Sequence, residues 1–354
     1  MLRILTRLFH DDAAYARGRT VALYAVLAAA NAGAWLWAVA AFRAYPLLLG
    51  TALLAYSLGL RHAIDADHIA AIDNVTRKLM QEGKRPVAVG FFFSLGHSTV
   101  VVLAAVAIAA TATALSTRLA TFRTVGGIIG TSVSAAFLLL IAAVNAVILF
   151  SLYRTFHQVR AGRRYEPEDL DELLAAGGPL AKLLRPLFRM IRKSWHMYPL
   201  GLLFGLGFDT ATEIGLLAIS AAEAAKGMPI WSILVFPALF TAGMSLVDTT
   251  DSVLMVGAYG WAFTRPIRKL YYNLTITSIS VLVALLVGGV EALGLLASRL
   301  HLSGGLWDTV ATLNGDFTIF GCLVIAVFVA SWVVSAAIYR FKGYDALDIA
   351  DAGD

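Results

Sequence analysis

The chain has 354 residues, of which 59% are hydrophobic and 14% charged, and its mean hydropathy is +0.76. Such a composition excludes a disordered chain and a soluble globular domain, and it implies a polytopic, all-α membrane protein. The formal net charge of +5 needs no nucleic-acid partner, because the basic residues are concentrated in short polar segments between apolar ones.

Crossing a hydrocarbon core of about 30 Å takes about 20 apolar residues. Stretches of that kind occur eight times, near 20–42, 46–72, 87–112, 125–152, 199–222, 229–257, 272–298 and 316–339. The first is too long and too far from the start for a cleavable signal. Ahead of it, the Arg3, Ile4, Arg7 and Leu8 pattern suits a short helix on the membrane surface, and His10-Asp11-Asp12 reads as a polar entry to the span rather than a ligand set. Of the 28 Lys and Arg residues, 22 fall in the N-terminus, the C-terminus and the segments after spans two, four and six. Cytoplasmic loops carry that excess, so both termini are expected in the cytoplasm and all of 1–354 in one transmembrane domain. Trp35, Trp37, Trp231 and Trp261 sit where interfacial aromatics belong.

The long polar segment 154–197 opens acidic at Glu166–Glu172 and turns basic from Lys182 to Lys193. There Leu183, Leu184, Leu187, Phe188 and Ile191 recur at helical spacing opposite Lys182, Arg185, Arg189, Arg192 and Lys193, which suits a helix lying on an anionic leaflet, kinked by Pro186. A weak internal echo pairs LGLRHAID (58–65) with LGFDTATE (206–213) and LGHS (95–98) with AGMS (242–245). Because span two runs inward and span five outward, it predicts an inverted repeat of spans two to four and five to seven, with cargo bound at the interface.

Span two contains RHAIDADHI, Arg61 to Ile69. A charge at the centre of a spanning helix costs about 2.5–3.5 kcal/mol on insertion scales, so such groups face a cavity, pair with each other or bind an ion. Polar residues gather in three further spans: His97 with Ser94 and Ser98; Asp209 and Glu213 with Thr212; and Asp248 and Asp251 with Thr249. The candidate metal ligands are His62, Asp65, Asp67, His68, His97, Asp209, Glu213, Asp248 and Asp251. Imidazole with carboxylate suits divalent first-row metals, whereas Mg2+ or Ca2+ would call for oxygen alone. Arg61 would offset part of the negative charge. On a straight helix, at about 100° per residue, Asp67 points about 140° away from His62. Span two is therefore unwound near the motif, or Asp67 orients a ligating imidazole, or spans three, five and six complete a shared site.

Asp73, Asn74, Arg77 and Lys78 follow as the expected solvated end of span two, and Asn145, Asn273 and Glu291 as packing or helix-end hydrogen-bonding groups. No HExxH pattern or nucleophile with a base is present, which argues against an intramembrane metal-dependent hydrolase and against any enzyme. Ligand types alone do not separate import from export.

In these motifs the chain resembles the NiCoT nickel/cobalt transporters. His62, Asp67 and His68 match the family's H-x4-D-H pattern, and FFFSLGHSTVV (91–101), LGFDTATEI (206–214) and GMSLVDTTD (243–251) look like its other signatures, over essentially the whole chain. The resemblance implies high-affinity uptake of Ni2+ or Co2+ across a bacterial cytoplasmic membrane, with His62, Asp67 and His68 essential. It adds weight to His97, Asp209, Glu213, Asp248 and Asp251. The metal is cargo, and the resemblance implies no resident cofactor.

Overall fold

A computed structural model describes residues 11, 16–110, 116–160, 191–206, 211–262, 266–315 and 317–341. The described residues form helices and connecting turns: α1 (Ala16–Phe42), α2 (Pro46–His62), α3 (Ala66–Gln81), α4 (Val89–Ala110), α5 (Ser116–Arg160), α6 (Met197–Phe204), α7 (Ala211–Ala225), α8 (Ile230–Ile233), α9 (Val235–Ala262), α10 (Pro266–Leu300), α11 (Gly305–Gly315) and α12 (Phe317–Phe341). By length and composition, 5 helical stretches can each cross a membrane, and up to 7 if each of two bent pairs counts as one span. The segment formed by α6 and α7 occupies the fifth apolar stretch, where neither helix alone is long enough to be counted.

The break anticipated in span two is present. Proline at the first position starts α2. The helix stops at His62, and the chain turns through Ala63 and Ile64 before Asp65 takes an extended conformation (φ −62°, ψ 144°) ahead of α3. The bend between the two halves is 51°. Aspartate is a favoured residue at a helix start because its carboxylate can cap free N–H groups. Here it makes no cap bond and turns to His62 instead. Gly321 of α12 lies against the Ile64 carbonyl, where a side chain would collide with the turn.

Four glycines show how the helices cross. A β-carbon on Gly59 of α2 would meet the Phe240 carbonyl of α9, and one on Gly201 of α6 would meet the Phe93 carbonyl of α4. Conversely, Gly243 of α9 abuts Tyr56 and Leu60, while Gly96 of α4 abuts Tyr198 and Leu202. The contacts are reciprocal: Tyr56, Gly59 and Leu60 correspond to Tyr198, Gly201 and Leu202, and Phe93 and Gly96 to Phe240 and Gly243. Sequence agrees, with YSLGL at 56–60 and YPLGL at 198–202. Gly90 lies against the Asp248 carbonyl and Ser94 bonds Ser245, so α4 and α9 run antiparallel, as equivalents in an inverted repeat must. This register differs from the pairing of 58–65 with 206–213, since it sets Gly59 opposite Gly201.

The expectation that Asp73, Asn74, Arg77 and Lys78 form a solvated end is overturned. They are 0%, 1%, 0% and 3% exposed. Asp73 accepts hydrogen bonds from Tyr259 and from Ser280 (2.8 Å), Arg77 donates to Thr277 (2.9 Å) and Asn74 (3.3 Å), and Asn145 donates to Asn74 (2.8 Å). The reason is tertiary: α3 is covered by α5, α9 and α10, and polar groups buried there must find partners inside the protein. Arg77→Ala is expected to destabilise the folded protein by about 3–5 kcal/mol, because it strands a buried carboxylate one turn away. Thermal unfolding in detergent measures this, and an unchanged midpoint would refute it. Asn145 and Asn273 do serve as interhelical hydrogen-bonding groups, Asn273 through Gln81 (3.3 Å), and Glu291 accepts from Ser134 (2.9 Å).

At the same end, Asp11 is buried against Arg19 (3.3 Å) and accepts from the Ser194 hydroxyl (2.6 Å), so it ties the start of α1 to the turn before α6. Most of the expected surface helix at 182–193 lies outside the described residues. Its end, Ile191–Lys193, is not helical.

Candidate metal centre

Two broken spans meet at the centre of the bundle. The last residue of α2 is His62, which is 1% exposed. Its Nδ1 lies 2.9 Å from Asp65 Oδ2 and 3.0 Å from Thr212 Oγ1. A carboxylate can only accept, so a neutral His62 imidazole carries its proton on Nδ1 and keeps the Nε2 lone pair. That Nε2 lies 2.9 Å from Nε2 of His97 on α4, which in turn lies 2.9 Å from Glu213 Oε1 in the first turn of α7.

His68, in the first turn of α3, has its Nδ1 3.3 and 3.4 Å from the two carboxylate oxygens of Asp248 on α9. Its Nε2 is fully buried and makes no hydrogen bond among the described residues. Asp248 thus does for His68 what Asp65 does for His62, holding one ring nitrogen so that the other is offered as a donor. The rings of His62, His68 and His97 lie 4.6 to 4.9 Å apart, and each offers one nitrogen such that the three lie within 4.8 Å of one another. Bonds of about 2.0–2.1 Å to a dication need donors about 3–4 Å apart, so small ring rotations would close the set around one ion.

The backbone supports the same chemistry. Asp67 and Glu213 both sit in the first turn of a half-helix, where exposed N–H groups and the helix dipole favour negative charge. Close approach around the cluster depends on small residues, and Gly205 at the end of α6 lies against the His97 backbone. Phe93 packs edge-on to His68 (4.8 Å) and Phe240 lies beside His62 (5.5 Å), so aromatic rings flank two of the histidines.

Of the nine candidate ligands, the structure gathers His62, Asp65, His68, His97, Glu213 and Asp248 into one buried cluster. Asp67 is half-buried at its edge, in Coulombic range of His62 and Asp248. Asp251 is displaced along α9 toward Asp73. Asp209 lies outside the described residues. Arg61 is exposed rather than inside the cluster, so the balancing charge expected of it is not placed among the ligands. Two features escaped the sequence reading: the contact of Thr212 with His62, and the aromatic partners of the histidines. The phenylalanine run before SLGHS carried the only signal for Phe93.

Comparison with known proteins agrees with this chemistry. The family described as high-affinity nickel-transport protein, NicO, matches residues 48–338. A high-affinity nickel transport protein of Cupriavidus necator is 59% identical over 345 residues, covering 98% of each chain. The nickel transporter NicT of Mycobacterium tuberculosis is 49% identical over 83% of this chain and 79% of its own, and the cobalt transport protein NhlF of Rhodococcus rhodochrous 43% over 80% and 81%. No solved structure matches. A multi-pass membrane chain with a buried histidine and carboxylate cluster, matched nearly end to end by a nickel transport protein and over 80% of its length by a cobalt transport protein, belongs to the NicO family of high-affinity nickel-transport proteins, the nickel/cobalt transporters its intramembrane motifs resemble.

Proposed function

We propose that the chain is a secondary transporter that carries Ni2+ or Co2+ inward across the bacterial cytoplasmic membrane, through eight spans with both termini in the cytoplasm. The convergence of His62, His68 and His97 nitrogens within 4.8 Å, with Glu213 beside them, carries this reading. The dehydrated ion is held by the three Nε2 atoms and the Glu213 carboxylate, while Asp65 and Asp248 orient His62 and His68. Asp67 and Asp251 add negative charge along the ion's route, and the motif resemblance adds weight to Asp209 as a further ligand. The distribution of 22 of 28 basic residues supports the orientation.

Binding requires neutral imidazoles and ionised carboxylates. The membrane potential supplies a driving force: two charges moving inward at 100 mV gain about 4.6 kcal/mol, from about 2.3 per charge. Competitive uptake of labelled nickel and cobalt into proteoliposomes under an inside-negative potential is the direct test. Saturable uptake that rises with the potential is expected. An absence of uptake in well-folded protein, or outward pumping with metal-tolerant cells, would reject it.

If Asp65 orients rather than binds, Asp65→Ala should weaken nickel binding about 10–100-fold. Asp65→Asn keeps an oxygen that accepts from Nδ1 and should recover much of that loss. Calorimetric titration of both variants distinguishes this from direct ligation, in which asparagine would fare little better than alanine.

A further inference from the structure

Phe93 and Phe240 occupy equivalent positions in the two units, as the reciprocal contacts of their carbonyls with Gly201 and Gly59 establish. Both side chains are fully buried, and each packs against a different histidine, Phe93 on His68 at 4.8 Å and Phe240 on His62 at 5.5 Å. They lie at different depths. Because α4 and α9 are antiparallel and Ser94 bonds Ser245, Phe240 is level with about Thr99 on α4, some six residues from Phe93. At 1.5 Å per residue the two rings are offset by about 9 Å along the helix axes, with His97 between them.

Each ring is also backed by its own apolar cluster. Phe93 packs on Phe204 (5.2 Å) in a core that includes Ile69, Ile72 and Tyr259. Phe240 belongs to a separate core with Phe236, Phe42 and Met244. A hydrated dication cannot pass an apolar ring packed in this way, and removing water from such a constriction is itself a barrier.

We propose that Phe93 and Phe240 are the paired gates of the cargo site, each sealing it from one side of the membrane. The proposal rests on the reading of the three-histidine centre as that site. With the orientation given above, Phe240 closes the outer side and Phe93 the cytoplasmic side. Neither binds the ion. They are positioning residues whose displacement, one at a time, opens the centre to one side only.

Cys322 is the chain's single cysteine and is exposed on α12, so Cys322→Ser gives a background for a thiol reporter. Ser98, adjacent to His97 and 2% exposed, is a suitable reporter position as Ser98→Cys. A membrane-impermeant thiol reagent is then applied to right-side-out and inside-out vesicles. Adding Phe240→Ala should raise labelling at least tenfold from the outer face and less than twofold from the inner face. Phe93→Ala should do the converse, and Phe→Leu at either position should retain most of the seal.

Acceleration from both faces, from neither, or from the same face in both variants would overturn the proposal. Should an alanine variant fail to fold, the leucine variant must show the same sidedness at smaller amplitude, and its absence counts against the gates. Labelling does not require nickel, so the two readings fail separately. Opposite-sided labelling in protein that binds no nickel would reject the cargo site and keep the gates. Normal nickel binding without sidedness would do the reverse.

Discussion

Replacing His62 by alanine is expected to lower nickel uptake at limiting metal by more than about 100-fold, beyond the 10–100-fold that follows loss of a ligand's orienting partner. His62 is within 3.0 Å of Asp65, Thr212 and His97, and its ring lies 4.6 Å from that of His68. Alanine removes one nitrogen donor and leaves the Asp65 carboxylate buried at 2% exposure without the group that accompanies it. Loss of a partner by a buried charge is destabilising in its own right, so protein level and thermal stability must be measured beside uptake. Initial rates of radiolabelled nickel uptake, normalised to folded protein in the membrane, give the answer. Uptake within a few-fold of the parent chain would remove His62 from the site. His68→Ala should match it in uptake, since the His68 Nε2 makes no hydrogen bond among the described residues.

The second large effect is expected at the glycine crossings. Gly59, Gly96 and Gly201 each face the backbone of another helix so closely that a β-carbon would overlap a carbonyl group. Backbone cannot swing aside as the tip of a flexible side chain does. Overpacking of an ordinary core costs about 1–3 kcal/mol, and these positions should lie at or above the top of that range for alanine and fail to fold for leucine. Gly33 and Gly50 are the controls, because a β-carbon at either would have no neighbour within 4 Å. There alanine should be neutral or stabilising by up to about 1 kcal/mol, as it is in an exposed helix interior. Unfolding midpoints of detergent-purified variants test both groups. Because the crossings are reciprocal, Gly59→Ala and Gly201→Ala should suffer comparably, and a large disparity would argue against equivalent packing.

Much of this was legible in the residues, for identifiable physical reasons. The break in span two was one of the alternatives that geometry left open, since His62 and Asp67 point in different directions on any straight helix. The clustering of His97, Glu213 and Asp248 with His62 and His68 followed from the energetic penalty of isolated polar groups in a membrane. What failed were questions that depend on neighbours. Asp73 and Arg77 look like the wet end of a helix, and only the packing of α5, α9 and α10 over α3 makes them a buried network. The repeat was visible, but matching the acidic motifs gave the wrong register. The crossing glycines and their tyrosines fix it, because close backbone contact tolerates no slippage. Which carboxylates touch metal and which steer an imidazole also lay beyond the sequence, since both roles use the same residue types.

The centre divides its donor atoms by origin. All three imidazoles, His62, His68 and His97, come from the first repeat unit, whereas Glu213 and Asp248 come from the second. Symmetry would have placed matching groups on both sides, yet the equivalent of His97 is the buried Met244. Held as proposed, the ion would sit on a seam between three imidazoles of one unit and the Glu213 carboxylate of the other. A tilt of the units against each other would open that seam through the proposed ligand set, taking Glu213 from the three histidines. The movement that exposes the ion would then also loosen it.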